Sequence, residues 1–382
     1  MPLPDNYLDM VKTDYVWDGP CSDKPNGGIS FSMLSKFLQC RERFRLKYME
    51  GWVQNKSFNK SIEYGNLWHL CEEYHAKDEN WEQPVIKYGE YLVDKFPLLR
   101  EEIDKWVHIC LRQFPIYLDY WSKQPDVVRR TNLLSEQVFD LKYHLPSGKV
   151  VRLRGKWDSV DLIDDGTKDS GIYIQENKTK SDIEDQDIGT RVTYDLQSLM
   201  YMVCLQYFDW RNKFDIMSSQ SKLNIFKPCT VKGVRYNCIK RPLSGGKGNI
   251  KRLEARVSKA KGKEGQVLRD EETWDEYYDR LIQYIKDEPD VYFKRWKTVV
   301  PQNSLEDFKK RTLTPLLSAV VAWYDWITSG ESFREPNSLH WMYPYGCTNY
   351  LDEFSTSEYD GLIFDKSTVG LTKTSKLFEE LQ

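Results

Sequence analysis

The chain has 382 residues, of which 40% are hydrophobic and 14% aromatic, so it can bury a sizeable core and is not expected to be disordered. The first residues lack the basic start and apolar centre of a signal peptide, and no run of about 18 apolar residues offers a membrane span, so we expect a cytoplasmic protein with no membrane partner. The net charge of -3 excludes a strongly basic protein as a whole but leaves room for a local basic groove.

The amino-terminal third of the sequence is predicted to be helical. Residues 1–28 are rich in Pro, Asp and Gly and are expected to form a loose leader. Apolar residues then recur at helical spacing, at Phe37, Cys40, Phe44 and Tyr48. Further helical patterns cover about 61–76 and 87–128. We therefore assign residues 29–130 to a helical amino-terminal part.

The pattern changes to strands near residue 135. The stretch EQVFDLKYHL alternates apolar and polar residues, PSGK makes a turn, and VVRLRGKWDSVDLI returns as a second extended segment. GIYIQENK follows as a third strand, DLQSLMYMVCLQYF has one apolar helical face, and VKGVRYNCI is another strand. These patterns predict an α/β core at residues 131–240, with a mixed central β-sheet flanked by helices, and a helical carboxyl-terminal extension at 268–382.

Charged residues follow the apolar start of the third strand, GIYIQENKTK. Side chains alternate faces along a strand, so Glu176 and Lys178 project to the same side. Asp158 in the second strand is brought next to them by the intervening turn. Hard oxygen ligands of this kind suit Mg²⁺ or Mn²⁺, which polarise a phosphate and activate water, and a nearby lysine can offset developing charge. We expect one or two such ions.

Each of these residues also has a purely structural interpretation. Glu176 and Lys178 could form a surface ion pair worth about 0 to 1 kcal/mol. Asp158 could be an ordinary charged residue beside a turn, and His69, which lies among apolar helical residues, could be a hydrogen-bonded structural histidine. Tyr201 could simply belong to the core.

Five motifs in order resemble those of a known nuclease family: SFSMLSKFLQCRERFRLKYMEGW, YGNLWHLCEEYH, LRGKWDSVDLI, IQENKTKS and DLQSLMYM. Together they resemble the PD-(D/E)XK nuclease superfamily and, within it, the RecB-like exonuclease branch that includes the AddB nuclease domain and the CRISPR-adaptation nucleases. The resemblance spans about residues 30–240 and continues weakly through VYFKRW and YPYGC. It implies a restriction-endonuclease-like core.

The resemblance also implies roles for individual residues. The implied metal ligands are the side chains of His69, Asp158 and Glu176 and the backbone carbonyl of Asn177. Lys178 would be the catalytic lysine. Gln197 and Tyr201 lie one helical turn apart, where they could reach a phosphate or brace the lysine.

A basic segment follows the last predicted strand. Residues 241–263 contain eight basic residues against one acidic residue, Glu254. A charge run is usually a solvated face, but next to a nuclease site it is well placed to neutralise DNA phosphates. We assign residues 241–267 to a basic loop or helix and expect DNA contacts from Arg241, Lys247, Lys251, Arg252 and Arg256.

The eight cysteines show no tight metal-ligand spacing. Several relatives hold a [4Fe–4S] cluster with one Cys in the opening helices and three closely spaced near the carboxyl end. Cys40 and Cys347 are in corresponding positions, but no further Cys follows Cys347. We therefore predict no iron–sulfur cluster and interpret Cys40 as a buried thiol.

The sequence thus predicts a metal-dependent DNA exonuclease acting in recombination, repair or phage genome processing, with a recombination or replication protein as a further partner. The exonuclease preference depends on the RecB-like resemblance alone. A structure-guided or nicking DNA endonuclease of the same fold is one alternative. A non-catalytic DNA-binding or assembly protein that retains the fold is another.

Overall fold

The computed structural model describes the chain at residues 15–54, 58–124, 130–164, 166–183, 194–208, 231–245, 249–257, 267–329 and 371–381. In these stretches the helices are α1 (Phe31–Gln39), α2 (Arg41–Phe44), α3 (Lys60–Ala76), α4 (Glu82–Lys95), α5 (Arg100–Ser122), α6 (Leu196–Tyr207), α7 (Trp274–Asp287), α8 (Pro289–Tyr292), α9 (Gln302–Phe308) and α10 (Thr314–Thr328). The strands are β1 (Trp52–Gln54), β2 (Arg130–His144), β3 (Val150–Ile163), β4 (Gly171–Lys180), β5 (Val231–Lys240), β6 (Arg256–Val257), β7 (Val267–Arg269), β8 (Phe293–Val299) and β9 (Leu371–Lys373). No helix within these stretches is long and apolar enough to cross a membrane.

The central sheet has five strands in the order β2-β3-β4-β5-β8. β4 and β5 run parallel and the other neighbours run antiparallel, so the sheet is mixed, as the sequence predicts. A parallel pair needs a crossover connection, and α6 lies in the chain between these two strands. The three-strand meander predicted over residues 135–180, and the strand predicted at VKGVRYNCI, are confirmed.

Hydrophobic clusters cover both faces of the sheet, as expected for a sheet flanked by helices. One cluster contains the sheet residues Val160, Ile174 and Val234 together with side chains of α1, α6 and α10. The other contains Ile239 and Phe293 together with side chains of α3, α5 and α7. The sheet is therefore a buried middle layer between two sets of helices.

The amino-terminal helices begin and end where the sequence provides caps and prolines. The Ser30 side chain accepts a hydrogen bond from the Met33 N–H at the start of α1. The Asn59 side chain accepts from two N–H groups at the start of α3, which confirms the helix predicted over 61–76. The pattern at 87–128 divides into α4 and α5, because Pro97 begins a short 3₁₀ turn between them.

The predicted leader, residues 1–28, is packed rather than loose over the part that the structure describes. Trp17 is 1% exposed, and its indole N–H donates to the carbonyl of Gly28 at 2.7 Å. Its ring packs edge-on against Phe44 and Tyr324, with centroids 5.2 and 5.1 Å away. Burial of the large Trp17 side chain against two other rings stabilises this packed conformation, although the residues around it are mostly polar.

The carboxyl-terminal part is helical over α7, α9 and α10, but it also contributes strands. β8, with the sequence FKRWKTV, pairs with β5 and forms one edge of the sheet. β9 pairs with β1 and so holds the end of the chain against the amino-terminal part. The sheet therefore extends beyond the core predicted at residues 131–240.

Candidate metal centre and active site

The first element of the site is an irregular point where β2 faces β3. Ser135 pairs with Ser159 and Gln137 pairs with Trp157, so Glu136 lies opposite Asp158. Glu136 has a φ of 46°, in the left-handed region that non-glycine residues rarely adopt. Such a conformation costs about 1–3 kcal/mol, and residues held in one are concentrated at functional sites. The β2–β3 register runs unbroken through this point, so the two carboxylates lie on directly opposed residues.

α3 contributes a histidine to these carboxylates. The Nδ1 atom of His69 lies 3.0 Å from Oε1 of Glu136 and 3.9 Å from Oδ1 of Asp158. One potential ligand atom from each of the three residues lies within 4.8 Å of the others. An imidazole and two carboxylates at this separation can share one divalent cation.

β4 supplies the other charged groups. The Nζ atom of Lys178 lies 3.0 Å from Oε2 of Glu176, so these side chains do project to the same side. The backbone N–H of Asn177 donates to Oδ2 of Asp158 at 2.8 Å, which fixes the third strand against the second at this point. Asp158, Glu176 and Lys178 therefore converge, as the alternation of side chains along GIYIQENK predicts.

The predicted glutamine and tyrosine come from α6. The Nε2 atom of Gln197 donates to Oε2 of Glu176 at 3.1 Å, so this amide braces the carboxylate rather than the lysine. Tyr201 is 7% exposed, packs edge-on against Phe139 and hydrogen-bonds with Gln197. The Asp195 side chain accepts from the N–H of Ser198 and begins the helix. That cap fixes the first turn of α6, which carries the glutamine.

The charges of the site change the pKa values of its members. Burial raises the pKa of Glu176 to about 7, against the opposing effect of the Lys178 ammonium. The pKa of His69 is raised to about 9: burial alone would lower it, but the nearby carboxylates of Asp158 and Glu136 favour the imidazolium. The pKa of Lys178 is raised because Glu176 and Asp158 outweigh its burial. The pKa of Glu136 is lowered: burial opposes this, but its contacts with His69 and Lys156 dominate.

One buried oxygen indicates that the site is suited to a cation. Glu176 is 1% exposed, and its Oε1 atom has no hydrogen-bond partner among the described residues. A buried carboxylate oxygen without a partner costs about 1–3 kcal/mol or more, so it would be expected only where another group binds it. Among the described residues, the cluster with ligand atoms close enough to share one ion is His69, Glu136 and Asp158, and Glu176 lies next to Asp158 outside that cluster. The donor set is rich in oxygen, which suits a hard divalent ion.

A family model for the PD-(D/E)XK nuclease superfamily matches residues 28–298, more than half of the chain. The chain belongs to this superfamily. The mixed sheet flanked by helices agrees with the restriction-endonuclease-like fold of this superfamily. A search of curated proteins found no match. Membership indicates a nuclease that acts on DNA and uses divalent metal ions.

The predicted DNA-binding residues are spread along the segment after β5. Arg241 is 9% exposed and donates to the carbonyl oxygen and hydroxyl of Thr179, so it holds the end of β4. Arg252 pairs with Glu271, whereas Lys251 and Arg256 are exposed. Lys247 lies outside the described residues. DNA contact by this set stays a prediction.

Glu136 is a site residue that the sequence motifs did not indicate. The signal was present: extending the β2–β3 register outward from the PSGK turn places Glu136 opposite Asp158. Cys40 is fully buried, which confirms the interpretation of it as a buried thiol, and Cys347 lies outside the described residues.

Proposed function

We propose that this protein is a Mg²⁺- or Mn²⁺-dependent DNA exonuclease of the RecB-like branch, acting in recombination, repair or phage genome processing. The observation that supports the proposal best is the convergence of Asp158, Glu176 and Lys178 beside His69. A role in DNA binding alone would not require a buried carboxylate with an unpartnered oxygen next to a lysine.

The ion would be held by the carboxylates of Asp158 and Glu176, the imidazole of His69 and the backbone carbonyl of Asn177. A divalent ion at this position supplies a Lewis acid for the phosphate and lowers the pKa of water. To bind it, Glu176 must lose its proton, and the pKa of about 7 keeps this carboxyl close to that change at neutral pH. His69 must also be neutral at the nitrogen that faces the ion.

Lys178 is the proposed catalytic lysine. Its pKa is raised by Glu176 and Asp158, so it stays protonated at neutral pH. A fixed ammonium 3.0 Å from Glu176 can orient the attacking water and offset charge that develops on the phosphate. It does not act as a general base in this state.

Glu136 joins the site as a residue that fixes His69, or as a further ligand. Its carboxylate accepts a hydrogen bond from Nδ1 of His69, which directs Nε2 away from it, and its other oxygen pairs with Lys156. Carboxylates that orient a ligating histidine select its tautomer and raise its basicity. Gln197 donates a hydrogen bond to Glu176, and Tyr201 hydrogen-bonds with Gln197 and so supports it.

A structure-guided or nicking endonuclease of the same fold is the nearest alternative. The decisive experiment incubates end-labelled linear DNA and covalently closed circular DNA with Mg²⁺, Mn²⁺ or EDTA. The exonuclease proposal requires metal-dependent cleavage of the linear DNA alone. Cleavage of both substrates would identify an endonuclease. Cleavage of neither, with DNA binding retained, would support the non-catalytic alternative.

A further inference from the structure

The catalytic face of the sheet continues past Glu176 toward the β8 edge. Residues in register on neighbouring strands share a face of the sheet. Glu176 pairs with Tyr236 in β5, and Tyr236 pairs with Trp296 in β8. The next row runs from Lys178 through Cys238 to Lys294. Two aromatic rings and a lysine thus follow the catalytic residues across the sheet.

The first of these rings lies among the charged groups of the site. Tyr236 is partly buried, and Nζ of Lys180 lies 5.5 Å from its ring centroid. Interstrand spacings of about 4.8 Å place Trp296 roughly 10 Å from Glu176. That short path joins the catalytic centre to the outer edge of β8.

A groove of about 360 Å³, here called the β8 groove, lies at this edge. It is lined by Tyr120, Trp121, Asp290, Lys294, Arg295 and Trp296. The guanidinium carbon of Arg295 lies 3.9 Å from the Trp121 ring centroid. Two hydrogen bonds fix the Arg295 side chain, which donates to the hydroxyl of Tyr117 at 3.1 Å and to Asn237 at 3.3 Å. The Trp121–Arg295 pair is therefore preorganised. Because side chains alternate along β8, this pair lies on the opposite face of the sheet from Trp296, and the β8 groove passes around the strand edge between the two faces.

We propose that the β8 groove binds single-stranded DNA that leads into or out of the catalytic centre. The inference depends on the proposed nuclease function and adds the form of the substrate. Bases can stack on the Trp296 ring, and on the Arg295 guanidinium that the Trp121 ring supports, only where they are unpaired, and Lys294 and Arg295 match the charge of a phosphate backbone. Among the described residues that line the groove, Asp290 is the one acid, and it accepts a hydrogen bond from Tyr120.

A protein strand added to the β8 edge is the competing occupant. Sheet edges bind extended peptides through backbone hydrogen bonds. However, Lys294, Arg295 and Lys297 fall within this seven-residue strand, and basic residues on an edge strand oppose such pairing. The same charges favour binding of a nucleic acid. Trp296 and Lys294 continue the rows that contain Glu176 and Lys178, so DNA bound along them would lead to the catalytic centre.

The test measures binding of a fluorescein-labelled 12-nucleotide oligothymidine by anisotropy, in EDTA so that no cleavage occurs. Trp121→Ala is expected to weaken binding about 5- to 100-fold, the range for loss of base–aromatic stacking. Trp121→Phe keeps a ring and should retain most of the affinity. Lys294→Gln should reduce the salt dependence of log K by about 0.7, the value for one phosphate contact on a single strand.

Matched controls are Trp326→Ala, which removes another tryptophan that is 40% exposed, and Lys87→Gln in α4. Neither should change binding. Suppose that Trp121→Ala and Lys294→Gln bind the oligonucleotide as tightly as the controls do, while the wild type still shows metal-dependent cleavage. That result would overturn the proposal that the β8 groove binds DNA and would leave the nuclease proposal standing. Absence of cleavage by the wild type with every metal would overturn the nuclease proposal itself.

Discussion

Glu136 allows a sharp test of the site because both of its oxygens have defined partners. One lies 3.0 Å from Nδ1 of His69 and the other pairs with Lys156. In Glu136→Gln the amide oxygen can still accept from His69, but the amide NH₂ then faces the Lys156 ammonium. The substitution therefore removes a negative charge while keeping nearly the same volume.

Two effects of opposite sign determine how much Glu136→Gln changes the affinity for the metal ion. Loss of a carboxylate that orients a ligating histidine typically weakens metal binding by about 10- to 100-fold. Glu136 also helps to raise the pKa of His69 to about 9 from 6.5, so at pH 7 a proton competes with the ion for the imidazole. Removing the charge lowers that pKa and weakens this competition. The loss of affinity should therefore be small at pH 7 and reach about 10- to 100-fold at pH 9.5.

Isothermal titration calorimetry with Mg²⁺ at the two pH values measures this difference directly. Glu73→Gln is the matched control, because Glu73 is also in α3 but pairs with Lys77 and does not contact the site. Equal Mg²⁺ affinities for Glu136→Gln and the wild type at pH 9.5 would refute the assigned role of Glu136. A loss of the same size at both pH values would show that proton competition at His69 is not involved.

Four further outcomes are expected. Glu176→Ala should abolish hydrolysis in a gel assay while DNA affinity stays within about two-fold, since phosphate contacts elsewhere persist; near-normal turnover would contradict the site. Lys178→Ala should lose about 10²–10³-fold in rate with Mn²⁺ affinity retained, and a collapse of that affinity would make the lysine a structural support. Hydrogen bonding to Arg280 in α7 lowers the pKa of Glu272 to about 2. Glu272→Gln should therefore lower the free energy of unfolding at pH 7, measured in urea, by about 1 kcal/mol. This difference should shrink as the pH falls from about 4.5 toward 2, and a constant difference would exclude the charge as its cause. The purified protein should be colourless and free of iron by elemental assay, because only Cys40 and Cys347 lie where relatives place cluster ligands; stoichiometric iron and sulfide would contradict this.

The sequence was informative wherever a short-range period determines geometry. Alternation along EQVFDLKYHL and GIYIQENK predicted β2 and β4, and the PSGK turn predicted the hairpin. The same alternation placed Glu176 and Lys178 on one side. These features depend on neighbours two to four residues apart, which is the distance over which backbone stereochemistry acts.

The sequence was less informative where distant segments meet. It placed β8 within a helical extension, because FKRWKTV lacks apolar alternation and acquires its strand conformation by pairing with β5. The sequence predicted that Gln197 reaches a phosphate or braces the lysine. The approach of α6 to the sheet instead lets the Gln197 amide donate a hydrogen bond to Glu176. Packing between elements decides such contacts, and no local period encodes it.

By itself, the sequence determined the order of β2, β3, β4 and β5 along the chain, the position of the main charged motif and the superfamily to which those motifs belong. Only the tertiary structure decided that β4 and β5 are parallel neighbours, that Trp17 is buried and that Glu136 lies beside His69. The last of these depends on a left-handed backbone at Glu136 and on the approach of α3 to two strands more than 60 residues away in the chain. Such contacts are set by the packing of layers around the core, and the free energy that holds them comes from residues throughout the fold.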